Sequence, residues 1–283
     1  QLQSVQAFKE EEATKATMKK NAGALQIHIE EVPGVFPPLD FMSTQQGNNN
    51  LVPFLKDMPN PLEATRMSFL SFYTFHDDIG QSPAEIAVLL RELWRPFRAV
   101  GRVYVAPEGI NGQMAIPSNV LENFYAANRA QPIFGPDFYF NVDHEITREQ
   151  FEENKPFKNL HIRERAQILA DGLMEPLDWK KSGQAITASE WHEQLDDPDT
   201  VVLDCRNSYE SDVGTFDNAI PLNTTFFRES WDSLHEALEK VPKDTPIMTF
   251  CTGGIRCVKI NAYLDQVMGY SNVSRLKGGI IAY

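Results

Sequence analysis

The apolar run Ile247–Phe250 ends at Cys251, turns through Thr252-Gly253-Gly254 and passes into a helical pattern from about Arg256 to Met268. A strand that turns through glycines into a helix is the repeating unit of a parallel α/β sheet, since parallel neighbours are joined only by crossovers. The same texture lies on both sides. Val201–Leu203 and Val273–Leu276 read as short buried strands, and Phe227–Leu238 as a helix. Thr187-Ala188-Ser189-Glu190 has the form of a capping box opening a helix through Trp191 and Leu195. A doubly wound parallel sheet is expected.

Ligands of such sheets bind beyond the carboxyl ends of the strands, where Cys251 falls. Gly253 and Gly254 let successive N–H groups converge as a nest at a helix N-terminus. With Arg256 beside it, this environment favours an anion and predicts a lowered thiol pKa and an available thiolate. Cys251 and Arg256 are the candidate catalytic pair, and Thr252, Gly253, Gly254 and Ile255 the anion-cradling loop. The alternative is a buried structural thiol beside ordinary turn glycines. Asp204 and Arg206, at the end of a neighbouring strand, are candidates for ordering the loop or contacting substrate. Cys257 either serves as a resolving thiol or packs, and Cys205 has no assigned role. The six histidines show no paired ligand spacing, and no G-x-G-x-x-G occurs, so no metal or cofactor is evident.

Before this half, Ser68–Phe75, Val100–Ala106, Asn111–Ile116 and Phe138–Val142 read as strands. Ser82-Pro83-Ala84-Glu85 caps a helix carrying Ile86, Leu89, Leu90 and Leu93, and a second helix fits Asn119–Arg129. The order β-α-β-β-α-β is that of a ferredoxin-like (acylphosphatase-like) split sandwich. In the turn Ala106–Gly112, Gly109 and Gly112 are expected to supply positive φ, and Glu108, Gly109 and Asn111 form a candidate substrate-facing turn. Leu160–Ile162 reads as one more short strand after the polar stretch Glu145–Lys158. Residues 1–65 hold six prolines and the polar run 45–50, with one short alternating piece at Leu25–Ile29. They are expected to be an extension, disordered or draped over the next domain. The expected division is 1–65 extension, 66–165 ferredoxin-like domain, 166–184 linker and 185–283 parallel domain.

Composition narrows the function classes. No run approaches the ~18 apolar residues a membrane-spanning helix needs. Three cysteines are too few for a disulfide scaffold and point to a reducing compartment, the cytoplasm, or an organelle if a targeting signal precedes Gln1. A net charge of −13 excludes a binder that coats itself in positive charge. Residues 66–172 nonetheless carry 11 basic against 14 acidic side chains, which leaves room for an RNA-facing patch there. Within the acidic second domain, Arg206, Arg256, Lys259, Arg275 and Lys277 are candidates for drawing a phosphate backbone to the thiol.

Spacing separates two cysteine chemistries. Cysteine phosphatases place Arg six positions after Cys; here it is five, which resembles the six-residue loop of rhodanese-type sulfurtransferases. Asp204-Cys205-Arg206, Tyr209-Glu210 and Gly214–Pro221 also resemble rhodanese signatures, and Gly278-Gly279-Ile280 resembles the opening of that domain's last helix, which is expected to be cut short at Tyr283. The turn Ala106-Pro107-Glu108-Gly109-Ile110-Asn111-Gly112, ahead of a rhodanese domain with Phe250–Cys257, resembles the tRNA uridine hydroxylase family of rhodanese-domain proteins. Pro156–Arg163, Glu190-Trp191-His192 and Gly214-Thr215-Phe216 are similar to that family as well. The resemblance implies oxygen-dependent 5-hydroxylation of the wobble uridine of tRNA, with molecular oxygen as co-substrate, tRNA as partner and Cys251 as the active residue. Two other readings stay open. One is a sulfurtransferase carrying a persulfide on Cys251 with a donor such as thiosulfate; the other is a non-enzymatic RNA- or protein-binding module. Glu164 between Arg163 and Arg165 breaks the cationic run that an RNA contact there would want.

Overall fold

The computed structural model describes residues 52–76, 80–135, 138–173 and 176–283. Residues 1–51, including the alternating piece Leu25–Ile29, lie outside the described residues.

Among the described residues, helix α1 (Val52–Leu55) precedes β1 (Arg66–Phe75), α2 (Pro83–Trp94), β2 (Val100–Ala106), β3 (Gly109–Pro117), α3 (Leu121–Arg129), β4 (Asn141–Thr147), α4 (Arg148–Asn154) and β5 (Leu160–Glu164). The sheet order is β4-β1-β3-β2-β5, antiparallel throughout except that β5 runs parallel to β2. This is the expected split sandwich with one added edge strand. Ser82 caps α2 as its sequence promised, accepting from the Glu85 N–H while Glu85 accepts from the Ser82 N–H at 2.7 Å. Helices α2 and α3 close one face of the sheet, packing Leu90, Trp94 and Phe124 onto Leu70, Phe72, Val103 and Ile116. Residues 52–65 are draped over this body: Phe54, Leu55 and Met58 pack against its core, and Asn119 and Asn123 donate to the Asn60 and Phe54 carbonyls.

Three details differ from the sequence reading. The fourth strand is Asn141–Thr147, not Phe138–Val142. Phe138 and Phe140 instead lodge edge-on against Phe72, because a buried aromatic pocket offers them more than an edge strand can. The polar stretch hides α4, capped reciprocally by Thr147 and Gln150, with Phe151 as its buried anchor. Strand β3 begins at Gly109, so Gly112 lies inside a strand without positive φ; its need is space, since a Cβ there would lie 2.6 Å from the Phe72 ring.

The second half continues with β6 (Gln184–Ile186), α5 (Ala188–Gln194), β7 (Val201–Asp204), α6 (Ser208–Ser211), β8 (Ala219–Pro221), α7 (Ser230–Ala237), β9 (Ile247–Phe250), α8 (Ile255–Gln266), β10 (Val273–Leu276) and α9 (Gly279–Ala282). Its sheet runs β6-β10-β9-β7-β8 with every pairing parallel. Trp191 on α5 covers Val202, Met248 and Phe250 on one face, while α8 lays Cys257, Ile260 and Leu264 against Leu203 and Ile247 on the other. The edge strands β6 and β8 are only three residues long, too short to show periodicity in the sequence. No helix among the described residues is long and apolar enough to cross a membrane.

Gly109 opens β3 with φ +152, and a Cβ there would strike the Thr74 carbonyl of β1. Gly109→Ala is expected to cost more than about 1 kcal/mol, read as a lower urea midpoint with unchanged m.

Candidate active site

Strand β9 delivers Cys251 to the carboxyl end of the parallel sheet, between β7 and β10. Gly254 then caps α8 with φ +97, and its N–H donates to the Cys251 Sγ at 3.1 Å. One amide of the loop is thus aimed at the sulfur.

Its electrostatics are not those the spacing predicted. Cys251 is fully buried, and burial together with the neighbouring Cys257 thiol pushes its pKa well above the ordinary range; Arg256 pulls the other way and does not prevail. Arg256 is itself held from 46 residues upstream. Glu210 on α6 accepts from both Arg256 guanidinium nitrogens at 2.7 and 2.8 Å, and also from the Thr252 hydroxyl. Burial works to raise the Glu210 pKa, yet the Arg256 and Thr252 hydrogen bonds hold it down at about 2. The guanidinium therefore reaches the loop already paired, and its pull on the thiol is outweighed by burial. A lowered thiol pKa does not hold in this structure.

Asp204 and Arg206 order the loop's surroundings rather than facing solvent. The fully buried Asp204 carboxylate accepts from the Arg206 backbone N–H and side chain, and from the Ser211 and Thr215 hydroxyls at 2.9 Å each. Arg206 also donates to the Gly214 carbonyl and lies 5.3 Å over the Phe250 ring. This ties the segment carrying Glu210 to the end of β9. Cys205 and Cys257 are both buried beside Cys251, where burial and the Cys205 contact push the Cys257 thiol up as well.

The cover over the loop comes from the other sheet. Tyr73 on β1 reaches Gly254 so closely that a methyl there would lie 2.7 Å from the phenol oxygen. Burial, with Tyr139 and Cys251 as neighbours, raises the Tyr73 pKa. Next to it, the Glu108 turn does not face an open cleft. Glu108 accepts from Lys259 of α8 at 2.9 and 3.1 Å and from the Ile168 N–H at 2.8 Å, and Asn111 donates to the Ile168 carbonyl. Lys259, wholly buried, also meets Asp171 at 2.5 Å and the Leu169 carbonyl at 2.9 Å, beneath the Trp179 ring at 4.9 Å. Glu108, Gly109 and Asn111 belong to a seam between the two sheets.

Of the cations expected to attract phosphate, all but the exposed Lys277 are engaged inside the protein. Arg206, Arg256 and Lys259 serve carboxylates, and Arg275 donates to the Ser182 and Gly183 carbonyls at 2.6 Å. Lys277 lies 5.6 Å over the Tyr139 ring. Sequence reasoning noted Glu210 within a signature but gave it no role; its position three residues after the Asn207 cap was the available signal. Tyr73 and Asp171 carried none.

Residues 67–168 match the model of the UPF0176 acylphosphatase-like domain, and residues 187–283 match the rhodanese-like domain. The chain belongs to the UPF0176 family of rhodanese-domain proteins. It is 34% identical over 220 residues to the tRNA uridine(34) hydroxylase of Photorhabdus laumondii, covering 76% of this chain and 58% of that one. Identity to the tRNA uridine(34) hydroxylase of Erwinia tasmaniensis is 36% over 221 residues, covering 77% and 59%. The UPF0176 chain therefore spans about three fifths of the length of the curated relatives it matches. A rhodanese-like domain protein of Staphylococcus aureus aligns with 35% of this chain and 89% of its own, at 25% identity and a TM-score of 0.28.

Two outcomes follow from the site's charges. The folded chain holds the Glu210 proton more weakly than the unfolded one, so the Glu210–Arg256 pairing stabilises fully above pH 4.5 and fades as pH falls to about 2. The stability gap between wild type and Glu210→Gln, from urea unfolding at a series of pH values, is expected to close over that window. Iodoacetamide is expected to alkylate Cys251 in the native protein about tenfold or more slowly than in the unfolded chain at neutral pH. Tyr73→Ala should speed the native reaction; peptide mass spectrometry measures both.

Proposed function

We propose that this UPF0176 protein is a tRNA-modifying enzyme that hydroxylates C5 of the wobble uridine, with Cys251 as the reacting residue, molecular oxygen as co-substrate and a two-electron donor that carries the second oxygen atom to water. The observation that carries the reading is the pairing, in one chain and in this order, of both family domains with 34–36% identity to proteins named tRNA uridine(34) hydroxylase.

The chemistry within reach is that of a held sulfur. The Gly254 N–H stabilises negative charge on the Cys251 sulfur, and Arg256, fixed by Glu210, sets the field across the loop. Because the sulfur is wholly covered, reaction requires Tyr73 to withdraw from Gly254 as substrate enters. Withdrawal of Tyr73 relieves part of the burial that opposes deprotonation, so that the thiolate forms more readily once the site is engaged.

A second reading, sulfur transfer through a persulfide on Cys251 with thiosulfate as donor, draws support from the five-position spacing to Arg256 and the amide aimed at the sulfur. The deciding measurement is nucleoside mass spectrometry of tRNA from cells lacking the gene, complemented with wild type or Cys251→Ser. Wild type is expected to restore wobble 5-hydroxyuridine derivatives and Cys251→Ser is not. Unchanged nucleosides in the deletion strain would sink the hydroxylase reading. A sulfur adduct on Cys251 after thiosulfate treatment, with thiocyanate formed from cyanide, would then favour the transferase. Full rescue by Cys251→Ser would leave a binding module.

A further inference from the structure

The face of the first sheet opposite α2 and α3 is covered only at its ends. Phe151 and Phe157 pack onto Phe69 and Met67 at one end, and the linker meets Phe75 and Asn111 at the other. Between them the strand register lays out two rows of side chains. One row is Tyr73–Asn111–Tyr104–Arg163, across β1, β3, β2 and β5; the next is Ser71–Gln113–Arg102–His161. The rows lie about 7 Å apart and each spans about 15 Å. Arg102, His161, Arg163 and Arg165 are exposed, and Arg165 lies 5.1 Å over the half-buried Tyr104 ring.

The pleat sorts the charges on this edge. Ile162 points into the helix-covered core, so alternation carries Glu164 to that same side and His161 and Arg163 to the open one. The carboxylate that seemed to interrupt the basic run is therefore on the opposite face. No carboxylate among the described residues pairs with Arg102, His161, Arg163 or Arg165. In a chain of net charge −13, whose loop-side cations other than the exposed Lys277 are already engaged, three unpaired arginines around a tyrosine form a surface complementary to a polyanion. The row containing Arg163 ends at Tyr73, the residue seated on the cysteine loop.

We propose that this strip, Arg102, Tyr104, Arg163 and Arg165 with His161, is an RNA-backbone track that leads a tRNA arm to Tyr73 and the Cys251 loop. It rests on the tRNA reading above. The arginines contact phosphates, Tyr104 offers a stacking surface, and occupancy of the track places a nucleotide against Tyr73, the residue that must move.

The test uses the whole chain and an unmodified tRNA transcript with uridine at the wobble position. Arg102→Glu/Arg163→Glu is expected to weaken binding by at least about tenfold at low salt and to lower the slope of log K against log[salt] by about 2. Arg102→Lys/Arg163→Lys should retain most of the binding. Lys240→Glu/Lys243→Glu, a reversal of two exposed cations on the other domain, supplies a matched charge control. Unchanged affinity and slope in the arginine double reversal would overturn the proposal, as would an equal loss in Lys240→Glu/Lys243→Glu. Tight, arginine-dependent tRNA binding by a protein whose deletion leaves wobble uridine unaltered would uphold the track and defeat the modification reading. Hydroxylation by wild type and arginine double reversal alike would defeat the track alone.

Discussion

One buried ammonium holds the two sheets in the relation everything else requires. Lys259 leaves α8 of the rhodanese domain with no solvent contact and finds Glu108 from the first sheet and Asp171 from the linker. A charge so placed persists only if its partners stay with it, since stripping one partner from a buried pair costs about 3–5 kcal/mol. The desolvation cost is met by a full set of acceptors, the Leu169 carbonyl among them, and by the Trp179 ring above. Net stability is not the point of such a cluster. Register is, because only one docking of the sheets brings both carboxylates to the nitrogen.

That docking determines the state of the thiol. With Glu108 on Lys259, β1 is positioned so that Tyr73 lies on Gly254, and the loop is closed from above. Closed, it has nearly balanced charges: Arg256 is matched by Glu210, and Asp204 by Arg206. The resting sulfur is protonated and protected. In the proposed reaction, reactivity depends on the contact between domains, which links the RNA track on the first sheet to chemistry on the second.

Much of this was legible in local sequence. Ser82 and Glu85, and Thr187 and Glu190, announced their helices because a capping box is satisfied within four residues. The run into Cys251 and the paired glycines announced the parallel sheet and the loop. Other elements were silent for equally physical reasons. Helix α4 has a single buried residue, Phe151, and so no periodicity to read. Phe138 and Phe140 looked like a strand because apolar alternation cannot distinguish a strand from aromatics that fill a core.

What the sequence by itself determined was the presence of a cysteine, a glycine turn and an arginine at rhodanese spacing, on the end of a buried strand behind a ferredoxin-like domain. These depend on interactions spanning a few residues. Only the tertiary structure decided what those groups do at rest, because burial and pairing are set by residues far off in the chain: Glu210 lies 46 positions from Arg256, and Glu108 lies 151 from Lys259. A side chain's charge is written in its identity, but its field is set by whatever folds against it.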